Sequence, residues 1–375
     1  MTRTPSTSRL PTAGLLDTLL TAGLVLLPVV GRGAIVRRPR IVGLAQRLDA
    51  DALAVRQLQR LRARYGPGPL QLRLPGRRLT LLLEPQQVHR VLNGSSTPFA
   101  VATREKRAAL AHFQPAGLLA SAPAQRQHRR SFNEAVLDAG QPLHRLAGPV
   151  AAAVRQEAEL LLEQADRTGA LTWEGFSTGW WRAARRVTLG DSAREDQQTT
   201  DQLLRLRRRA NWSFTSPQHT ALRRRFLARV RAHVEQAEPG SLASLVNSTP
   251  AHPDTDPVQQ VPQWLFAFDA TAAATFRALA LLSAHPDAAD RARTESSSGS
   301  PDLPFLRACV LESLRLWPTT PAILRDTTEQ THWQAGVLPT GASVVLYALF
   351  FHRDDTPRAR GAPVRRRAVA ARAHR

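Results

Sequence analysis

The segment RACVLESLRLWP, residues 307–318, sets the chain's one cysteine, Cys309, ahead of a glutamate and an arginine three residues apart. A thiolate could be a nucleophile or a soft metal ligand, and a carboxylate or guanidinium could be an acid, a base or an anion clamp. Spacing narrows the choice. Glu312 and Arg315 stand i, i+3 on a helix, where they share a face and can pair, while Leu306, Val310, Leu314 and Trp317 form an apolar stripe elsewhere on the wheel. Taken alone, such a pair is an ordinary surface ion pair worth less than ~1 kcal/mol. One cysteine excludes an internal disulfide framework and every Cys-rich zinc or iron–sulfur centre, which suits a reducing cytoplasm.

With 375 residues, 43% of them hydrophobic, the chain can fill a sizeable core as one large domain or two ordinary ones. A net charge of +21 would suit phosphate or anionic lipid. Against that, Lys106 is the only lysine among 51 basic residues, a bias that a GC-rich coding sequence explains better than a ligand does. Seven of the arginines also fall in the acid-free stretch 356–375. No basic module interleaved with aromatics appears, so nucleic-acid binding is not expected. Residues 13–30, AGLLDTLLTAGLVLLPVV, include Asp17 and Pro28 and fall short of the roughly 20 apolar residues of a span. A packed or peripheral helix is expected there, with arginines 32, 37, 38 and 40 suited to a membrane surface. A true span or a cleaved signal is the lesser alternative.

The elements follow from periodicity. Residues 46–65 read as a helix, and 68–85 as two alternating strands joined at Pro75-Gly76. Helical patterning then runs from about 86 to 235, including 147–165 and 220–237. Residues 239–257 read as a loop, ending at Thr255 or Asp256 as the start of a long apolar helix that His285-Pro286 stops. A polar linker, 294–302, precedes the Glu–Arg helix, and after Trp317-Pro318 the chain turns to strands with Gly336 and Pro339-Thr340-Gly341 as turns. A small sheet assembled from both ends of the chain, beside a large helical body, closes this order most simply. The fold class expected is mainly α with a small β-sheet.

ESLRLWPTTPAILRDT resembles the ExxR helix and following strand of the cytochrome P-450 family, the haem-thiolate monooxygenases, and GVLPTGASVVLYALFFHRD resembles that family's next hairpin and HRD segment. The 68–85 hairpin, QHRRSFNEAVL (127–137) and WLFAFDATAAATFRAL (264–279) fall in the same order. The resemblance covers residues 45–355, after an apolar and basic segment 1–44 and before a basic tail 356–375 expected to be disordered.

The resemblance implies a haem cofactor, a small apolar organic substrate and a ferredoxin-like or reductase electron donor, in a cytoplasmic monomer with peripheral membrane contact. It makes Glu312 and Arg315 a buried structural pair, so that Glu312→Ala should harm folding while Asp354→Ala does little. It places Arg325 at a haem propionate, with His128 and Arg129 in the other propionate-contacting segment, where Ala124 stands in place of the usual tryptophan. On the long helix Thr275 holds the position of the catalytic alcohol, but its acid neighbour is Ala274. Asp269, five residues away from that site, is not its substitute. Cys309 precedes the Glu–Arg pair and is read as a small buried hydrophobe, so the axial thiolate is absent and no metal ligand is assigned. Past Asp355 the resemblance stops within a few residues, and the arginine-rich tail reads as a truncated or frame-shifted end. Little monooxygenase activity is then expected of the chain itself. The competing reading is a non-catalytic remnant that binds an apolar ligand or an anionic membrane surface.

Overall fold

The computed structural model describes residues 9–299 and 302–354. The stretch 355–375, and with it the tail reading, lies outside the described residues. The N-terminal segment runs beside the first hairpin and enters α1 (Leu15–Thr21), a π-helical turn and α2 (Leu27–Gly31). The expected single helix over 46–65 is two, α3 (Pro39–Arg47) and α4 (Ala50–Tyr65), because Asp49 between them takes a left-handed conformation with φ 46°. α1 is packed rather than free. Asp17 is buried and accepts from the Tyr65 hydroxyl at 2.8 Å, and Thr18 and Thr21 are buried beside it. Leu15, Leu16, Leu19, Leu27 and Val30 stay exposed on the opposite face.

Strands β1 (Leu70–Leu74) and β2 (Arg77–Leu81) form the expected hairpin, with Gly76 supplying the positive φ of the turn. Next come α5 (Pro85–Asn93), β3 (Phe99–Ala100), α6 (Arg104–Leu110) and α7 (Pro123–Val136). The helical body is α8 (Ala147–Thr168), α9 (Trp173–Leu189), α10 (Gln197–Ala210) and α11 (Thr220–Gln236). Within the expected loop 239–257 a further helix, α12 (Leu242–Ser248), forms because Ser241 caps it and Leu242, Ala243 and Val246 find the core. The long helix α13 (Val261–Ser283), α14 (Pro286–Ser296) and α15 (Pro304–Leu316) complete the body. α14 runs into what read as linker.

The chain closes with β4 (Ala322–Thr327), the separate hairpin β5 (Thr331–Trp333) and β6 (Gly336–Leu338), β7 (Ser343–Tyr347) and α16 (Ala348–Arg353). The main sheet has the order β1-β2-β7-β4-β3. β2 pairs in parallel with β7, Thr80 opposite Val344, so strands from residues 70 and 347 meet in one sheet. One core holds the helical body, built on Phe113, Phe132, Phe226 and Leu265, and another joins α4 to the sheet through Leu58, Leu61, Val345 and Phe350. The mainly helical architecture with its two-ended sheet is the fold class expected from the sequence.

Candidate cofactor site

α13 is the axis of the site, and its neighbours hold it through its backbone and its first turn. Trp264 Nε1 donates to Asn133 Oδ1 of α7 at 2.8 Å, and the Asn133 amide donates to Gln260 at 3.2 Å. Trp180 of α9 donates to the Phe268 carbonyl at 2.8 Å, and the fully buried Ser313 of α15 donates to the Ala274 carbonyl at 2.9 Å. Such close approach is possible because residues 270–275 carry only small side chains. The rings of Trp173, Phe176, Trp180, Phe268 and Phe276 fill the α9 side. Only 22% of the most apolar 18-residue window of Val258–Ser283 is buried, so the helix keeps an open apolar face. By length and composition alone it could cross a membrane. Its hydrogen bonds tie it to α7, α9 and α15. Thr275 is half-buried on α13, and its hydroxyl makes no hydrogen bond among the described residues.

A second feature forms where α6, α7 and β4 meet. Asp326 of β4 accepts from the backbone N–H of Arg104 at 3.3 Å, tying the start of α6 to the strand that carries Arg325. Lys106 follows on α6, and Arg126, from the first turns of α7, lines a cleft with Ser96, Ala102, Arg107, Ser121 and Asp326. Burial, then Arg325 and Arg126, push the Lys106 ammonium down to about 8, with Asp326 only partly offsetting them. Arg325 is likewise lowered by burial and by Arg126, and Arg126 by burial and Arg130. Arg325 donates to Ser95 Oγ at 3.3 Å and to its neighbouring Leu324 carbonyl at 2.9 Å, and Arg126 to the Leu118 carbonyl at 3.4 Å. Among the described residues no carboxylate forms an ion pair with any of the three cations. Lys106 is thus depressed by both arginines and Arg325 by Arg126, and an anionic guest among these partly desolvated cations would relieve that repulsion.

The residues singled out in the sequence divide around this cluster. Arg325 is in it. His128 and Arg129, further along α7, turn elsewhere: the His128 ring stacks on His252 with centroids 3.6 Å apart, and Arg129 is buried and donates to Ser121 Oγ at 2.9 Å. Arg126 and Lys106 lie near Arg325 instead, and sequence reasoning passed over both. Lys106 had a signal, as the one position where an arginine-saturated chain keeps an amine. Glu312 and Arg315 do pair through two bonds, 2.6 and 2.8 Å, and Arg315 also reaches the His352 carbonyl at 3.1 Å. Their side chains are 33% and 43% exposed, which corrects the expectation of burial. α13 and α14 pack against α15, and α16 meets the end that bears Arg315 through the His352 and Arg353 contacts. The inert control is corrected too, because Asp354 is buried against Arg62 at 2.6 Å. Cys309 is half-buried, with its thiol pushed up by burial and by Glu295 despite Arg291, the opposite of an activated thiolate.

The sequence model of the family described as Cytochrome P450 matches residues 251–357. Two curated proteins of Drosophila melanogaster align with part of the chain. The probable cytochrome P450 4s3 is 34% identical over 106 residues, 27% of this chain and 21% of that protein. Cytochrome P450 4g15 is 30% identical over 116 residues, 27% and 20% of the two chains. Over residues 251–357 the chain is similar to cytochrome P450s. It spans about a fifth of the length of these curated P450s (21% and 20%). The fold is similar to that of the retinoic acid-bound cyanobacterial CYP120A1, with TM-score 0.60 and 16% identity, covering 79% of this chain and 72% of that one. A zebrafish cytochrome P450 with progesterone gives TM-score 0.61 and 17% identity over 80% of each chain.

A P450 carries haem, and the residues here fit it in part. The cluster of Lys106, Arg126 and Arg325 suits two propionates, and the small residues of α13 suit a flat apolar ring. No described residue supplies the iron's thiolate, since Cys309 lies on α15 with a raised thiol pKa.

Proposed function

We propose that the chain belongs to the machinery of haem-dependent oxidation of a small apolar organic compound, and that its own part is to seat the cofactor by its carboxylates. The unpaired cation cluster of Lys106, Arg126 and Arg325 carries this reading. Haem, when bound, supplies oxygen activation with electrons from a ferredoxin-like or reductase partner. The chain's residues supply the rest. The three cations fix the propionate edge, and the open face of α13 with the aromatic cluster of α9 offers apolar walls that exclude water from a substrate. Thr275 could exchange a proton through its free hydroxyl, but Ala274 beside it has no acid to refill that hydroxyl.

A second reading is favoured by Cys309: these residues hold haem or an apolar ligand without monooxygenase chemistry. The reduced, CO-treated absorption spectrum of the purified chain with haem separates the two. A red-shifted Soret band, characteristic of thiolate ligation, supports the oxidase, and its absence from a haem-loaded chain supports the binding reading. The exposed leucines of α1 and α2, beside Arg37, Arg38 and Arg40, support peripheral contact with an anionic membrane.

A further inference from the structure

His128, His252 and Asp254 bring one ligand atom each to within 4.8 Å of one another, on the face of α7 that the cation cluster does not use. His128 projects from α7, and the other two from the segment that leads from α12 into α13. His128 Nδ1 is buried and lacks a hydrogen-bond partner. A buried ring nitrogen without a partner costs free energy unless something supplies the missing contact. The His252 ring lies over that of His128 at 3.6 Å, tilted by 17°. Its Nδ1 accepts from the Asp254 backbone N–H at 3.2 Å and lies 3.7 Å from Asp254 Oδ2.

We infer that His128, His252 and Asp254 bind a divalent transition metal of the zinc class, clamping α7 to the segment that enters α13. Two imidazoles and one carboxylate are the borderline donor set that zinc, cobalt and nickel prefer over magnesium or calcium, and three protein ligands leave one position for water. Tetrahedral coordination at zinc's bond lengths needs donor atoms about 3.4 Å apart. The donors must therefore draw together, through ring rotation at His128 and movement of the exposed His252 and Asp254. The nearest cation, Arg129, feels the Asp254 and Asp256 carboxylates but forms no ion pair with either among the described residues. Arg130 is paired with Glu134 at 2.7 Å, and Arg129 donates to Ser121. Asp256, two residues on, caps the turn into α13 by accepting from the Val258 N–H at 3.1 Å.

The test is a calorimetric titration of the EDTA-stripped full chain with zinc chloride at neutral pH, with excess magnesium present. The wild type should bind one equivalent more tightly than the rest. His252→Ala, Asp254→Asn and His128→Gln should each weaken that equivalent by more than about tenfold, since losing even an outer-shell partner of a metal costs 10–100-fold. His89→Ala, which changes an exposed histidine outside the cluster, should leave it unchanged. If His128→Gln fails to fold, the two exposed loop variants decide. Zinc binding by His252→Ala that matches the wild type in stoichiometry and affinity would overturn the assignment, as would a wild type with no equivalent tighter than those of that variant.

Discussion

Replacing Asp354 by alanine should cost far more stability than replacing Glu312, although each carboxylate holds an arginine through both oxygens. Asp354 is 4% exposed and accepts from Arg62 at 2.6 and 3.1 Å and from Gln59 at 3.1 Å. The Arg62 side chain is itself only 15% exposed. Removing one partner of a buried pair costs about 3–5 kcal/mol, because the survivor stays desolvated with nothing to face. Arg62 keeps two partial compensations, Glu84 at 3.9 Å and the Phe350 ring 5.2 Å from its guanidinium carbon. That moves the expected loss below the range, to about 2–3 kcal/mol, in line with a charged hydrogen bond plus some residual desolvation. Glu312 and Arg315 are each a third or more exposed, and water screens what is lost. An exposed pair of this kind contributes about 0–1 kcal/mol. Urea denaturation of both alanine variants, followed by far-UV circular dichroism at fixed pH, gives the comparison directly. A Glu312→Ala loss equal to or larger than that of Asp354→Ala would refute the reasoning, and would mean that the face of α15 bearing the pair is covered in the folded protein.

Three further outcomes follow from the same geometry. Because burial and two arginines lower Lys106 to about 8, the folded state binds fewer protons there than the unfolded chain between about pH 8 and 10.4, so that stability should rise with pH across this window and Lys106→Met should flatten the rise. Asp196 is held at about 2, since its bonds from Thr199, His233 and Arg229 outweigh the upward push of burial. Its stabilisation is present above the ordinary carboxylate range and is lost as pH falls towards 2, so acid unfolding of Asp196→Asn should begin at higher pH than in the wild type. Cys309→Ala should leave the absorption spectrum of any bound haem unchanged, and a shifted Soret band in that variant would place the thiol at the iron.

What the sequence made legible was what local periodicity and turn chemistry control. The hairpin of β1 and β2 follows from alternation around Pro75-Gly76, and the end of α13 from His285-Pro286. The union of β2 with β7 could be anticipated only because two short strand groups at opposite ends needed partners. α12 was missed because its seven residues sit among proline, serine and aspartate, and its buried face becomes visible only against the helical core. The break at Asp49 depends on one backbone conformation that composition does not display. At the site, the resemblance led to Arg325 and to the segment of α7. It could not show that Arg126, two residues before His128, comes close to Arg325 while the His128 ring stacks on His252. Burial was misjudged in both directions, for Glu312 as too deep and for Asp354 as too shallow, because each depends on which distant element covers it.

The central claim, that Lys106, Arg126 and Arg325 seat a cofactor by its carboxylates, is tested most directly by titrating the full chain with haemin and, in parallel, with haemin dimethyl ester, following the Soret band. The account predicts that the wild type binds free haemin at least about tenfold more tightly than the ester, each charge-assisted contact being worth roughly 1.5–3 kcal/mol. Lys106→Met combined with Arg126→Leu and Arg325→Leu should abolish that preference while leaving ester binding intact. Equal affinity of the wild type for the two compounds would contradict it.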